Sequence, residues 1–272
     1  DYLDAIEEAV PPGSVDFVAE TSLSLFSESH CQRLEENSFK AMLPGVESWY
    51  SLGNKSKTRK VHGQEKLEKI SEHLEMVRSY VPYVQANFVL GLDCDEGPGP
   101  FELTKQFVDR TPGVFPGYSL LTAFGRAAPL NLEYQREGRV LGFPFHFLNN
   151  NHAMNVRPKN YEWPEFYDRL IDLTKHSFSW RAIARRFRAG REAIPRSLNF
   201  VRAISSEGFG RIRYHSEIRR RLDEDPGFRA YFEQETDELP DFYRNRVKED
   251  LGPFWEHLPE GARIGTSSER RR

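Results

Sequence analysis

The spacing of hydrophobic positions changes several times along this chain, and each change marks an element. Asp1 to Val10 places Leu3, Ile6 and Val10 on one helical face and stops at Pro11-Pro12-Gly13. Val15 to Thr21 (VDFVAET) is short and rich in β-formers, which predicts a strand. Ser27 stands where an N-cap belongs, with Glu28 in the first turn of a helix that runs to about Asn37. Phe39 to Val46 (FKAMLPGV) reads as a second strand. Leu67, Ile70, Leu74 and Val77 then fall at helical spacing, and Pro82 stops that helix. Tyr83 to Leu92 (YVQANFVLGL) is nearly continuous apolar sequence, which suits a strand buried on both faces. After the DCDEGPGP turn cluster come a helix at about Phe101 to Asp109, a fourth strand at Tyr118 to Phe124 (YSLLTAF), and a helix at Pro129 to Glu137 closed by Gly138.

Strand, loop and helix thus repeat four times. Parallel strands joined by right-handed helical crossovers are the natural solution, as a doubly wound sheet or a barrel. Beyond Tyr161 the pattern is helical only, beginning with one predicted helix from Trp163 to Phe187 that has Pro164 at its start. The chain divides on this pattern into an α/β part, residues 1–160, and an all-helical extension, residues 161–272.

Composition narrows the function classes. The chain has 272 residues, 38% hydrophobic and 29% charged, with no apolar run long enough for a membrane span, so a globular protein without a membrane partner is expected. Two cysteines, Cys31 and Cys94, make neither a disulfide framework nor a four-ligand zinc site, and they suit a reducing, cytoplasmic setting. A formal net charge of -3 argues against polyanion binding over the whole surface. Charge is nevertheless segregated: Trp180 to Arg221 holds twelve Arg against three Glu, and Leu222 to Glu260 holds twelve acidic residues against four basic ones. Neighbouring helices that neutralise one another are the expected outcome, with nucleic-acid binding the lesser alternative.

In parallel βα folds ligands gather at the carboxyl ends of strands. Those ends are Glu20-Thr21-Ser22, Gly45-Val46-Glu47-Ser48, Gly91-Leu92-Asp93 and Thr122 to Arg126. Each sets small or polar residues beside a turn, as a polar ligand requires. Gly45 and Gly91 equally suit tight turns, and Glu47 equally suits a helix start. A basic loop around Gly53-Asn54-Lys55-Ser56 lacks the spacing of a phosphate loop. His146, His152, Asn149, Asn150, Asn151 and Asn155 form a polar loop, either a substrate-facing lid or hydrogen-bonded packing, which Phe143, Phe145, Phe147 and Trp163 would seat. The GTSSERRR terminus reads as a disordered tail.

The runs MLPGVES (Met42 to Ser48), QANFVLGLD (Gln85 to Asp93) and YSLLTAFGRAAPL followed by EYQREGRVL resemble, in order and spacing, the later strands of radical S-adenosylmethionine enzymes, most nearly the branch often fused to a cobalamin-binding domain. The resemblance covers roughly residues 1–160. It implies a partial (β/α) barrel, later strands only, followed by the helical extension. It also implies an enzyme whose [4Fe-4S] cluster cleaves S-adenosylmethionine to a radical that abstracts hydrogen from a small-molecule substrate. On the matching positions it places Glu47 and Ser48 at the polar end of S-adenosylmethionine, and Asn87, Gly91 and Leu92 near its adenosine; Glu20 and Ser22 would serve cofactor or substrate. Gly125 to Leu130 departs from the family's Pro-Gly-Thr-Pro-Leu type loop. The CxxxCxxC cluster motif is absent, so the expectation is a fragment, inactive alone, whose cluster ligands and first two strands belong to an N-terminal remainder of the same protein. The alternative expectation is a non-catalytic helical module, centred on the Arg-rich region, that docks another domain or a nucleic acid.

Overall fold

The computed structural model describes residues 2–50, 62–149 and 153–259. Among them β1 (Phe17–Ser22), β2 (Phe39–Glu47), β3 (Tyr83–Leu90) and β4 (Phe115–Leu120) form a parallel sheet in the order β1-β2-β3-β4. Helix α1 (Tyr2–Ala9) precedes the sheet, and α2 (Glu28–Glu36), α3 (Gly63–Tyr80) and α4 (Gly99–Arg110) are the crossovers. After β4 come α5 (Pro129–Arg136), α6 (Trp163–Ser177), α7 (Trp180–Ala189), α8 (Ala193–Ile204), α9 (Arg211–Glu224), α10 (Pro226–Phe232) and α11 (Asp241–Leu251). The repeating α/β pattern of the sequence is therefore real, and the Ser27 hydroxyl does cap α2, accepting from the His30 amide at 3.2 Å. The basic loop at Gly53 to Ser56, the residues Asn150, Asn151 and His152, and the terminal tail lie outside the described residues.

Strand register makes the two faces of the sheet chemically unlike, because alternate residues point to opposite sides. One side carries Met42, Val46, Val84, Ala86 and Phe88, all buried. Trp49 and Phe107 pack against Phe88 there, tilted and edge to face, with centroids 5.4 and 5.3 Å away. The other side pairs Ser22 with Gly45 and Gly45 with Asn87 at one level, and Glu20 with Leu43 one step below.

Two elements differ from the sequence pattern. The fourth strand runs Phe115–Leu120, not Tyr118 to Phe124. Pro116 and Gly117 resemble turn residues, yet β4 is the last strand in the order, and an edge strand tolerates a proline that has no N–H to give. The predicted helix from Trp163 to Phe187 is two helices. Ser179 interrupts it as an N-cap, its hydroxyl accepting from the Ala182 amide at 3.2 Å.

The chain forms two compact units: Asp1–Leu90 with Cys94–Ser119 and Asp172–Ile212, and Gly91–Asp93 with Leu120–Ile171 and Arg213–Arg272. Residues from both the 1–160 and the 161–272 segments enter each unit. In the first, Arg186 is buried between the rings of Phe115 and Phe178, 5.4 and 5.5 Å from their centroids, and donates to the Ser177 carbonyl at 3.1 Å. Burial lowers its pKa to about 10, so it stays charged at neutral pH. In the second, Arg139 holds Asp93 through paired bonds of 2.7 and 2.6 Å and also donates to the Arg157 carbonyl. Gly91, at φ 89°, ends β3, and a side chain there would strike Met154 Cε at 2.5 Å and Phe166 at 3.1 Å.

Among the described residues the ion pairs of the Arg-rich block cluster on α9, with Arg185 and Arg202 pairing elsewhere with Asp109 and Glu207. Arg220 pairs with Glu217 and Glu224, Arg221 with Glu217 and Asp225, and Arg219 with Asp223 and with Asp168 of α6. Only the start of the acidic block takes part in these pairs.

Asn155 is a structural member of its loop. Its side chain accepts from the Ala123 amide at 2.8 Å and donates to the Ala123 carbonyl at 2.7 Å, continuing the pairing of the chain beyond β4. Replacing it with Leu strands two buried backbone groups, a cost of about 2–4 kcal/mol. The melting midpoint of Asn155→Leu should fall by roughly 5–15 °C; an unchanged midpoint in a calorimetric scan would contradict this role.

Candidate functional site

Four of the residues proposed from the sequence share one face of the sheet. Ser22, Gly45 and Asn87 lie side by side on three adjacent strands, and Glu20 is one step below Ser22. Glu47 joins them through an irregular backbone. Register shifts between Gly45 and Glu47, and Glu47 has φ 65°, the left-handed region that residues with a side chain seldom occupy. Its carboxylate folds back into the space a side chain on Gly45 would fill. Gly117 does the same for β3: a Cβ there would meet Asn87 Oδ1 and would lie 2.6 Å from Gln85 Nε2. Two glycines thus clear room for a carboxylate and two amides.

The amides belong to a connected set. Gln85 donates to Asn87 Oδ1 at 2.5 Å, and Asn87 donates to the Leu43 carbonyl at 3.2 Å. Arg202 of α8 donates to Gln85 Oε1 at 2.5 Å and to the Tyr83 hydroxyl, and it is paired with Glu207, Nε to Oε1 at 2.8 Å. An amide has two donor hydrogens and two acceptor lone pairs, so Asn87 retains one hydrogen and one lone pair beyond these bonds. Asn87 is half-buried and Glu20 is exposed. The Ser22 hydroxyl lies 3.0 Å from that of Ser24 and accepts from the Ser24 amide, capping the turn that follows β1.

Ser48 is placed differently. It is 3% exposed, and its hydroxyl donates to Asp95 Oδ1 at 2.8 Å and accepts from the Tyr50 amide at 3.1 Å. Cys94 Sγ lies 3.4 Å from the same hydroxyl. Lys66, also buried, donates to the carbonyls of Val46 and Ser48 and so closes the carboxyl end of β2. Burial holds its pKa below the usual lysine value, opposed by Cys94, Glu47 and Asp95 nearby. Gly91 and Leu92 belong to the second compact unit, where the space beside Gly91 is taken by Met154 and Phe166; Leu92 is buried.

Neither cysteine suits a cluster. Cys31 is fully buried and its thiol is pushed up to about 11, chiefly by burial, while Cys94 belongs to the Ser48 network. No group of three or more metal-ligating side chains occurs among the described residues, and no helix there is long and apolar enough to cross a membrane. The sequence reasoning passed over Gln85, Lys66, Gly117 and Arg202. For Gln85 a signal existed, since two amides two positions apart in an apolar strand must lie on one face.

No protein-family model matches this chain, and no curated protein matches it.

The backbone at Glu47 has a measurable cost. A residue with a side chain in this region is destabilised by about 1 kcal/mol relative to glycine. Glu47→Gly should therefore hold or raise the melting midpoint by roughly 2–4 °C. A clear fall would show that the carboxylate contributes more to stability than the backbone loses.

Proposed function

We propose that this chain is the cofactor- and substrate-binding part of a radical S-adenosylmethionine enzyme, built on the later strands of a partial (β/α) barrel. The observation that supports it most is the Glu47 carboxylate, held over Gly45 one strand from Asn87 at the carboxyl end of a parallel sheet. S-adenosylmethionine carries an ammonium and a sulfonium, which carboxylates attract, and an adenosine, whose hydroxyls and ring nitrogens match an amide that retains one donor and one acceptor. Glu47 would take the cationic end, Asn87 the adenosine, and Glu20 a hydroxyl or amine of cofactor or substrate. Ser48 would act indirectly, by holding the turn after β2 through Asp95. The chain's two cysteines do not fit a three-thiolate cluster site, so the [4Fe-4S] cluster would be ligated by another part of the protein, and neither it nor cobalamin enters a step here. Calorimetric titration of the chain with S-adenosylmethionine should give saturable binding in the millimolar range or tighter, weakened at least tenfold by Glu47→Gln and by Asn87→Ala. Absence of saturation, or indifference to both substitutions, would remove the proposal.

A second reading, a helical docking module, rests on α8. That helix turns Arg196 and Arg202 toward the protein and exposes Ile194, Leu198 and Val201 at i, i+4 and i+7, with Ile194 80% exposed. On neighbouring α7, Arg181 and Arg188 are exposed, and no carboxylate pairs with either among the described residues. This combination fits an acidic amphipathic helix of another protein, its apolar stripe on α8 and its carboxylates on the two arginines. A designed helical peptide with a leucine stripe flanked by glutamates should bind at least tenfold tighter than its lysine counterpart. The order should reverse for the Arg181→Glu/Arg188→Glu protein. Equal binding of the two peptides, or tighter binding to RNA than to the acidic peptide, would refute this reading.

A further inference from the structure

Beyond β4, in the second compact unit, the chain lines an open cavity of about 710 Å³. Its apolar walls are Phe124, Leu132, Val140 and Phe145, and its charged members are Arg126 and Arg136. The size lies within the range of sites for small organic ligands.

Two features distinguish this cavity from an incidental gap. The first is aromatic. Phe143 and Phe147 are fully buried, packed against Tyr243, whereas Phe145 between them is 67% exposed and meets Phe124, itself 44% exposed, edge to face at 6.2 Å. Two large rings are thus left to water at the same opening, although the neighbouring positions show that this segment can bury phenylalanine.

The second feature is electrostatic. Several arginines of this unit meet carboxylates: Arg139 with Asp93 and Glu137, Arg157 with Glu233, Arg219 with Asp168. Arg126 and Arg136 meet none among the described residues, and no acidic side chain lines the cavity. The hydrogen bond seen for Arg136 joins its Nε to the Leu132 carbonyl of its own helix at 3.1 Å, and the residue lines the cavity. A position at the carboxyl end of α5 suits Arg136 as a cation, but Arg126 lies before that helix and has no such account. Two uncompensated guanidinium groups beside aromatic walls attract an anion and stack on flat apolar surface.

We propose that this cavity binds an organic anion with a flat apolar body, its carboxylate or phosphate on Arg126 and Arg136 and its ring system between Phe124 and Phe145. The site stands on the cavity alone and does not depend on S-adenosylmethionine binding at Glu47 and Asn87.

The test is calorimetric titration of the full chain with 2-naphthoate, 2-naphthyl phosphate, uncharged 2-naphthamide and inorganic phosphate. One or both aromatic anions should bind at a single site at least tenfold tighter than naphthamide and tenfold tighter than inorganic phosphate; whichever is tighter names the anionic group. Arg126→Gln and Arg136→Gln should each weaken the aromatic anion at least fivefold and leave naphthamide and the circular-dichroism melting midpoint unchanged. Leu132→Trp, which fills the cavity, should weaken naphthoate, naphthyl phosphate and naphthamide alike. Glu47→Gln should leave naphthoate binding intact, which separates failure here from failure of the cofactor reading. Equal affinity for naphthoate and naphthamide, inorganic phosphate binding as tightly as the aromatic anions, or no effect of either arginine substitution would each overturn the proposal.

Discussion

A hydrogen-bonded relay from Glu207 through Arg202, Gln85 and Asn87 to the Leu43 carbonyl sets the character of the sheet. β3 has strands on both sides of it in the sheet and a hydrophobic layer beneath, so polar side chains on its other face must be satisfied within the protein. Gln85 alone would be a cost. Joined to Arg202 and Asn87 it becomes an anchor that draws α8 to the sheet and fixes which way the Asn87 amide faces. Gly117 is needed for the same reason, because a methyl group there would occupy the space of both amides. Gly45 makes the corresponding room for Glu47 on the neighbouring strand.

Much of this was legible in the sequence, and the places where it was not have definite causes. Short-range signals were readable: the Ser27 cap, the α3 stripe of Leu67, Ile70, Leu74 and Val77, and the β-rich runs of the first three strands depend on residues within a few positions of one another. β4 began earlier than its pattern because the permission for Pro116 comes from its edge position, a property of the assembled sheet. The break at Ser179 was hidden because apolar residues continue at helical spacing across it. Gly91 read as a turn or a point of ligand approach; the side chains that crowd it, Met154 and Phe166, lie more than sixty positions away in sequence.

The candidate site divides along similar lines. Ser22, Glu20 and Asn87 share a face because period-two alternation and parallel pairing put them there, and both could be inferred. Glu47 reaches that face only through its left-handed backbone and the register shift beside it, so alternation alone does not place it. Ser48, the next residue, is turned into the buried Asp95 network instead. The cavity of the second unit had no sequence signature. Its members span Ala123 to Leu148 with no regular spacing, and only folding shows that Arg126 and Arg136 lack acidic neighbours there.

The ion pairs of α9 bear on the unfolded chain as well as the folded one. Glu217, Arg220, Arg221, Glu224 and Asp225 interact across three or four positions of α9 and the residue that follows it. Contacts of such short span survive when distant packing is lost. The denatured ensemble is therefore expected to keep fluctuating helix near residue 220, and it exposes less new surface on unfolding than a featureless coil would. A shallower denaturant slope and a nascent structure from which refolding can start both follow from charges that, in the native protein, serve mainly to balance one another.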